Sequence, residues 1–425
     1  MYLVTNRFLI SAQELRRSCI RFSGEQSAEA ATGFASSSHR LVNCDRSFRL
    51  ITVPHSQLPR LKQMRFAVVV LGMCILILGV TALGKEPKKN AAHVAESIRL
   101  RLEAELFTLN PDIQGHFALR MYRLTGDERY LPPIVYDLLV TLENVRRDLA
   151  QSHDSAYLER RCSSMRNDLN PKTRKGQIRA EMFGRAGAIQ FRLNLLHAAN
   201  DMAELGVADV EPYRELFQGL LGECRPAEIE SFLLDTSVVR AYAPQAVNYV
   251  YYLYDLGLAD IRPAYTEAFQ KVYPDSADDE LTADEFTDKV YGLTHFITAA
   301  SRYYQRPVDS DEFSWVLDYF HKNLDRILEE TREDVVSEVG LCFLLAGREN
   351  DPAVAICRQR IIDRFDSDEG LIPSTTGRTD LAQSEHRNII AYMLLAWPDQ
   401  LITGPNLPQT AFFQDVLGTF NSDEE

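Results

Sequence analysis

The segment ELGVADVEP (residues 204–212) returns 51 residues later as DLGLADIRP (residues 255–263). Each copy is read as the end of a long helix, a turn through glycine, and a second helix with proline beside or inside its first turn. Proline suits that place because its missing N–H would have no intrahelical partner. Aromatic-bearing stretches follow both copies, Tyr213–Phe217 and Tyr265–Phe269. A helical hairpin repeated along the chain cannot bury its inner helix alone, so the repeat predicts hairpins stacked side by side.

The same grammar extends in both directions. The segment 113–125 reaches Gly126 and is followed by a helix to about residue 150. The segment 281–304 reaches Pro307 and precedes a helix at 311–329. The segment 332–346 reaches Gly347 and precedes one at 352–364. A last helix near 380–396 stops at Pro398. The inner helices are thus expected to begin near residues 113, 178, 236, 281, 332 and 380, with an irregular stretch at Ser163–Gln177 in the longest interval. Thr282 with Glu285 fits a capping box, Asp380 with Gln383 a weaker one, and Thr331 with Asp334 offers a cap and an acidic first turn. Phe313, Val316, Leu317 and Phe320 recur at helical spacing while Asp318, Lys322 and Asp325 fall on the other face, as in an amphipathic outer helix. The fold class is therefore all-α: an (α/α)6 toroid, or an incomplete toroid of helical hairpins, over residues 85–425. An open solenoid is the alternative.

The glycine turn Thr125-Gly126-Asp127-Glu128-Arg129-Tyr130-Leu131 resembles that of the six-hairpin toroid class. That class includes glycoside hydrolases, polysaccharide lyases and sugar epimerases, with the related terpenoid-cyclase and lanthionine-cyclase-like barrels. The chain also resembles an uncharacterised family of secreted bacterial all-helical proteins, a likeness that implies no activity. Fold analogy leaves function open.

The 425 residues are 45% hydrophobic and 25% charged, an ordinary globular composition, with a formal charge of -14. No basic patch favours nucleic acid. The seven cysteines include no CxxC pair, which argues against a zinc ribbon or a thioredoxin-like centre. Residues 64–84, MRFAVVVLGMCILILGVTALG, have the layout of a signal peptide: Arg65, an apolar run, then Ala82 and Gly84 before Lys85. Translation is expected to start at Met64, with residues 1–63 a mis-assigned or disordered extension. The alternative is a membrane anchor over 66–84, which would tether the chain to an inner membrane. Residues 85–425 carry 36 basic and 56 acidic side chains, so an exported, periplasmic form would avoid anionic membranes once the signal is cleaved. Glycine-rich phosphate loops, GxSxG and HExxH do not occur, which removes the corresponding enzyme classes.

Polar residues inside the apolar inner helices are where chemistry is expected. Asp288, Tyr291 and His295 share one helical face. Glu338 and Cys342 are i,i+4 neighbours. Glu385 and His386 lie just inside the last helix, and the stretch Gly115-His116-Phe117-Ala118-Leu119-Arg120 sits in the first hairpin. Three readings stay open. One is a carbohydrate-active enzyme (hydrolase, lyase or epimerase) with catalytic residues among Asp288, Tyr291, Glu338 and Glu385. There Glu338 or Asp288 is general acid and Glu385 its partner, since glycoside hydrolysis uses two carboxyl groups across the bond. The second is a zinc enzyme with His295, Cys342 and His386 as ligands, their spacing being close to the hairpin period. The third is a non-enzymatic helical module that binds a glycan, peptide or envelope partner. A neutral saccharide or other small molecule suits the acidic charge. His197 is read as a core or hydrogen-bonding residue, and Asp278–Glu280 as solvated acid.

Overall fold

A computed structural model describes residues 90–421 apart from Pro171. The signal-like segment 64–84 and the extension before it lie outside the described residues.

The described residues fold into sixteen α-helices joined by turns and by longer loops, as at 365–380 and 396–410, with one isolated β-bridge between Asp366 and Leu371. In chain order these are α1 (Ala91–Glu105), α2 (Pro111–Thr125), α3 (Leu131–Ala150), α4 (Ser155–Asn167), α5 (Arg174–Arg185), α6 (Ile189–Glu204), α7 (Tyr213–Cys224) and α8 (Pro226–Leu233). They continue as α9 (Thr236–Asp255), α10 (Arg262–Val272), α11 (Ala283–Ala300), α12 (Ser314–Glu330), α13 (Glu333–Leu345), α14 (Pro352–Arg364), α15 (Leu381–Leu395) and α16 (Ala411–Asn421).

Five hairpins are consecutive in sequence: α2–α3, α6–α7, α9–α10, α11–α12 and α13–α14, while α1 packs against α15. The first helices also pack on one another in series: α6 on α9, α9 on α11, α11 on α13, α13 on α15, and α15 back on α2. Between α2 and α6 the link is made by α3, which touches both, and by the Arg123–Glu204 ion pair. Within this series α11, α13 and α15 are buried on most of their faces. In α13 every residue but Asp334 is buried, whereas α12 buries Val316, Leu317 and Phe320 and exposes Asp318, Lys322 and Asp325. A helix apolar on all faces needs neighbours on all sides, and a one-sided helix needs water on the other.

The near-repeat behaves as read. Gly206 and Gly257 have φ of +78° and +66°, the left-handed region that a side chain resists, and Pro263 stands in the first turn of α10. Thr282 and Glu285 form the full capping box. Asp380 caps α15 through the Ala382 N–H.

Several expectations change. The helix expected near 178 is two: α5 ends at Arg185, Gly187 adopts φ +60°, and the inner helix α6 begins only at Ile189. The stretch read as irregular is largely helical, being shared by α4 and α5. Thr331 does not cap α13; its hydroxyl bonds back to the Ile327 carbonyl at the end of α12. Asp278 is buried rather than solvated, because it takes the buried Lys289 ammonium (2.6 Å) and the Tyr319 hydroxyl (2.9 Å).

Two further details fix the interior. Pro244 lies inside α9 and cannot bond the Arg240 carbonyl four residues back; the helix kinks at Tyr242, and the Tyr273 hydroxyl takes that carbonyl at 2.6 Å. Beyond α11, Arg302, Tyr303 and Tyr304 all have positive φ, +52°, +53° and +73°. Three such non-glycine residues in a row cost on the order of 1–3 kcal/mol each and persist only when their surroundings hold them. Here Arg123, 1% exposed, reaches the Tyr303 carbonyl (3.0 Å), the Gly404 carbonyl (3.0 Å) and Glu204 (2.5 Å).

Candidate functional site

The inner helices α2, α6 and α9, with α3 and the Tyr303 turn, wall a cavity of about 380 Å³. Helix α2 contributes Asp112, His116 and Arg120, one turn apart along one face. Helix α3 contributes Asp137, and α6 contributes His197, Asp201 and Glu204. Tyr252 and Tyr303 close one end, their hydroxyls 3.1 Å apart.

Asp137 approaches α2 closely because residue 115 is glycine. A Cβ there would lie 2.2 Å from the Asp137 carboxyl oxygen. Burial, reinforced by the charges of Asp201 and Asp112, pushes the Asp137 carboxyl up to about 8. It therefore carries its proton at neutral pH. Burial also pushes Asp201 up, to about 6, against the pull of His197; His197 Nε2 lies 3.6 Å from its carboxylate.

His116 connects this cavity to a second set of polar groups. Its Nδ1 is 2.9 Å from Glu385 on α15, and its Nε2 is 3.4 Å from His386 Nδ1. His386 Nε2 in turn faces the Tyr291 hydroxyl at 3.1 Å and Glu338 at 3.6 Å. Glu338 accepts a 2.6 Å hydrogen bond from Thr294, and its other near neighbour is His295 Nε2 at 3.8 Å. His295 Nδ1 is 2.7 Å from Asn248 on α9. The row Glu385–His116–His386–Glu338–His295–Asn248 thus draws one or two residues from each of α2, α9, α11, α13 and α15.

The members of this row are shifted in different directions. Burial and the nearby Arg120 charge outweigh Glu385 and lower His116 to about 4, so it is neutral. Burial opposes the charge on His386, but the Glu338 carboxylate reverses that and holds the ring above its ordinary value. Burial likewise opposes the Glu338 charge, and the neighbouring His386 and His295 rings with the Thr294 hydroxyl hold it below the usual carboxylate range. Glu385 is held low against burial mainly by His116. His295 is lowered by burial despite Glu338. A neutral His116 that donates through Nδ1 to Glu385 can accept the Nδ1–H of a cationic His386 through Nε2.

Of the residues expected to carry chemistry, Tyr291, His295, Glu338, Glu385 and His386 come together. Asp288 does not join them: it pairs with Lys175 of α5. Cys342 is fully buried, its thiol 3.7 Å from the Thr294 carbonyl, and burial raises that thiol well above its ordinary value. Among the described residues no group of three or more His, Cys, Asp or Glu side chains is disposed to hold a metal ion. No helix among them is long and apolar enough to cross a membrane. Sequence reasoning missed Asp137 and Asp201, set His197 aside, and met Arg120 only as the end of the stretch Gly115–Arg120. The one local signal was Gly115 in the middle of α2, a residue that costs helix stability and so marks a close approach.

A protein-family model described as a domain of unknown function, DUF3541, matches residues 91–418. No curated protein and no solved structure matches the chain.

Proposed function

The chain belongs to the DUF3541 family, and from the geometry of its cavity we propose that it is a carbohydrate-active enzyme working by acid/base chemistry at the centre of a six-hairpin α/α toroid. The observation that carries this reading is the pair Asp137 and Asp201. They stand on different helices around one cavity, share it with Tyr252 and Tyr303, and are both raised by burial. Two carboxyl groups with separated proton affinities are what an acid and a base at one bond require.

As a hydrolase the site divides the work simply. Asp137 gives its proton to the leaving glycosidic oxygen as the bond to the anomeric carbon breaks. Asp201 takes a proton from the water whose oxygen bonds that carbon. The tyrosines offer rings for stacking against a sugar. In this reading Glu338 and Glu385 remain ionised and fix the histidines, rather than serving as acid and partner. His116 is the residue of that row that lines the cavity.

The series of inner helices, with α15 returning to α2, supports the toroid. Export of residues 85–425 belongs to the same proposal, and the N-terminus of the secreted chain should then be Lys85. The zinc reading competes for His295 and His386. What favours it is that His295 Nε2 is buried without a hydrogen-bond partner, facing Glu338.

The test is release of reducing ends from a panel of polysaccharides by the wild type, Asp137→Asn and Asp201→Asn. Cleavage that falls by roughly 10²-fold or more in Asp137→Asn is expected for loss of a general acid. Unchanged cleavage in that variant overturns the assignment. Saccharide binding with no turnover of any glycan replaces it with the non-enzymatic module.

A further inference from the structure

We infer that Arg120 is an anion-binding residue of this cavity and that the saccharide it serves carries a carboxylate, as in a uronic acid, in place of the neutral saccharide that the acidic charge of the whole chain suggests. The inference rests on the proposed saccharide site and specifies its substrate class.

Arg120 lines the cavity one turn beyond His116. Its Nη1 donates to the His116 carbonyl at 3.2 Å, and its Nε is buried with no hydrogen-bond partner. Among the described residues no carboxylate lies within 4.0 Å of its guanidinium. Arg123, three residues on, shows the contrast: it spends its donors on Glu204 and two carbonyls and serves structure.

The carboxylates around Arg120 have other partners. Glu204 is taken by Arg123 and Gln305, Glu385 by His116, and Glu338 by His386 and Thr294. Asp201 stands beside His197, and Asp137 holds a proton. Asp112, at the exposed rim, is the remaining acid of the lining. A guanidinium kept partly from water without a counter-ion is unfavourable, and a bound anion relieves it. Its planar fork matches a planar carboxylate through two parallel hydrogen bonds. The tyrosines beside it suit a sugar ring better than a bare ion. Together these features select a carboxylate on a sugar.

The experiment is calorimetric titration of protein made from the full chain with glucuronate, glucose and inorganic phosphate. Wild type, Arg120→Gln, Arg120→Lys and Asp137→Asn are compared. Glucuronate should bind the wild type at least about tenfold more tightly than glucose, as charge-assisted pairing implies. Arg120→Gln should lose that preference, and Arg120→Lys, which keeps the charge without the fork, should retain part of it. Asp137→Asn, read both in this titration and in the reducing-end assay, separates the two readings, because failure of the acid/base reading appears in turnover and failure of this inference in the glucuronate preference. Equal affinity for glucuronate and glucose in the wild type overturns the inference. So does a preference that survives in a folded Arg120→Gln, or tighter binding of phosphate than of glucuronate.

Discussion

His386 Nδ1 lies 3.4 Å from His116 Nε2, across the packing of α15 on α2. Their chain positions are 270 residues apart, and each ring is fixed on its far side by a carboxylate, Glu385 for His116 and Glu338 for His386. The electrostatics move the two rings in opposite directions: burial with the Arg120 charge lowers His116 to about 4, and the Glu338 carboxylate raises His386.

Replacing Glu338 by Gln should therefore lower the His386 titration below that of an ordinary histidine. The carboxylate is what raises it, and burial alone acts the other way. A histidine NMR titration of wild type and variant reads this directly, and an unmoved His386 would show that the pair is not electrostatically joined.

Asp137 predicts a stability effect of defined sign. Its folded value, about 8, lies above the unfolded value of about 4, so the folded chain binds the extra proton. Stability should fall as pH rises from about 4 through 8, and Asp137→Asn should be more stable than wild type at neutral pH while losing turnover. Thermal melts across that range test it; identical pH profiles for the two proteins would contradict the desolvated carboxyl.

Gly115→Ala places a methyl group 2.2 Å from the Asp137 carboxyl oxygen. Overpacking of this kind costs about 1–3 kcal/mol. We expect a lower melting temperature together with weaker turnover, because the acid must move to make room. A stabilised variant, as alanine would give in an open helix, would mean that Asp137 does not approach α2.

Arg123→Met should destabilise the fold by about 3–5 kcal/mol, the range for removing one partner of a buried pair. It leaves Glu204 uncompensated and releases the left-handed run 302–304, on which Tyr303 reaches the cavity. Denaturant unfolding measures the first effect. A loss within a few tenths of a kcal/mol would deny Arg123 the clamping role.

Elemental analysis of protein never exposed to chelator separates the acid/base site from the zinc alternative. The metal-free reading expects no stoichiometric zinc. Near one zinc per chain, lost in His295→Ala and in His386→Ala, would transfer the chemistry to a metal centre.

What the sequence determined by itself was local. Glycines at left-handed turns, proline in a first helical turn and the Thr282–Glu285 box act over a few residues, so five of the six inner helices begin within about two residues of where the repeat puts them. Burial of α13 and the one-sidedness of α12 follow from composition along a single helix. The sixth start slipped because helical propensity persists through 174–204 and only the conformation of Gly187 divides it. The polar centre was half legible, since Tyr291, His295, Glu338, Glu385 and His386 stand out as polar residues in apolar helices. Asp288 stood out in the same way and went elsewhere, because Lys175 of α5 reaches it first. Asp137 was invisible: an aspartate on an amphipathic helix reads as surface until Gly115 lets it sit against α2. Which side chains meet, and which of them keep their protons, depends on separations across helices distant in sequence and on how much water those contacts exclude. Tertiary packing alone decides both.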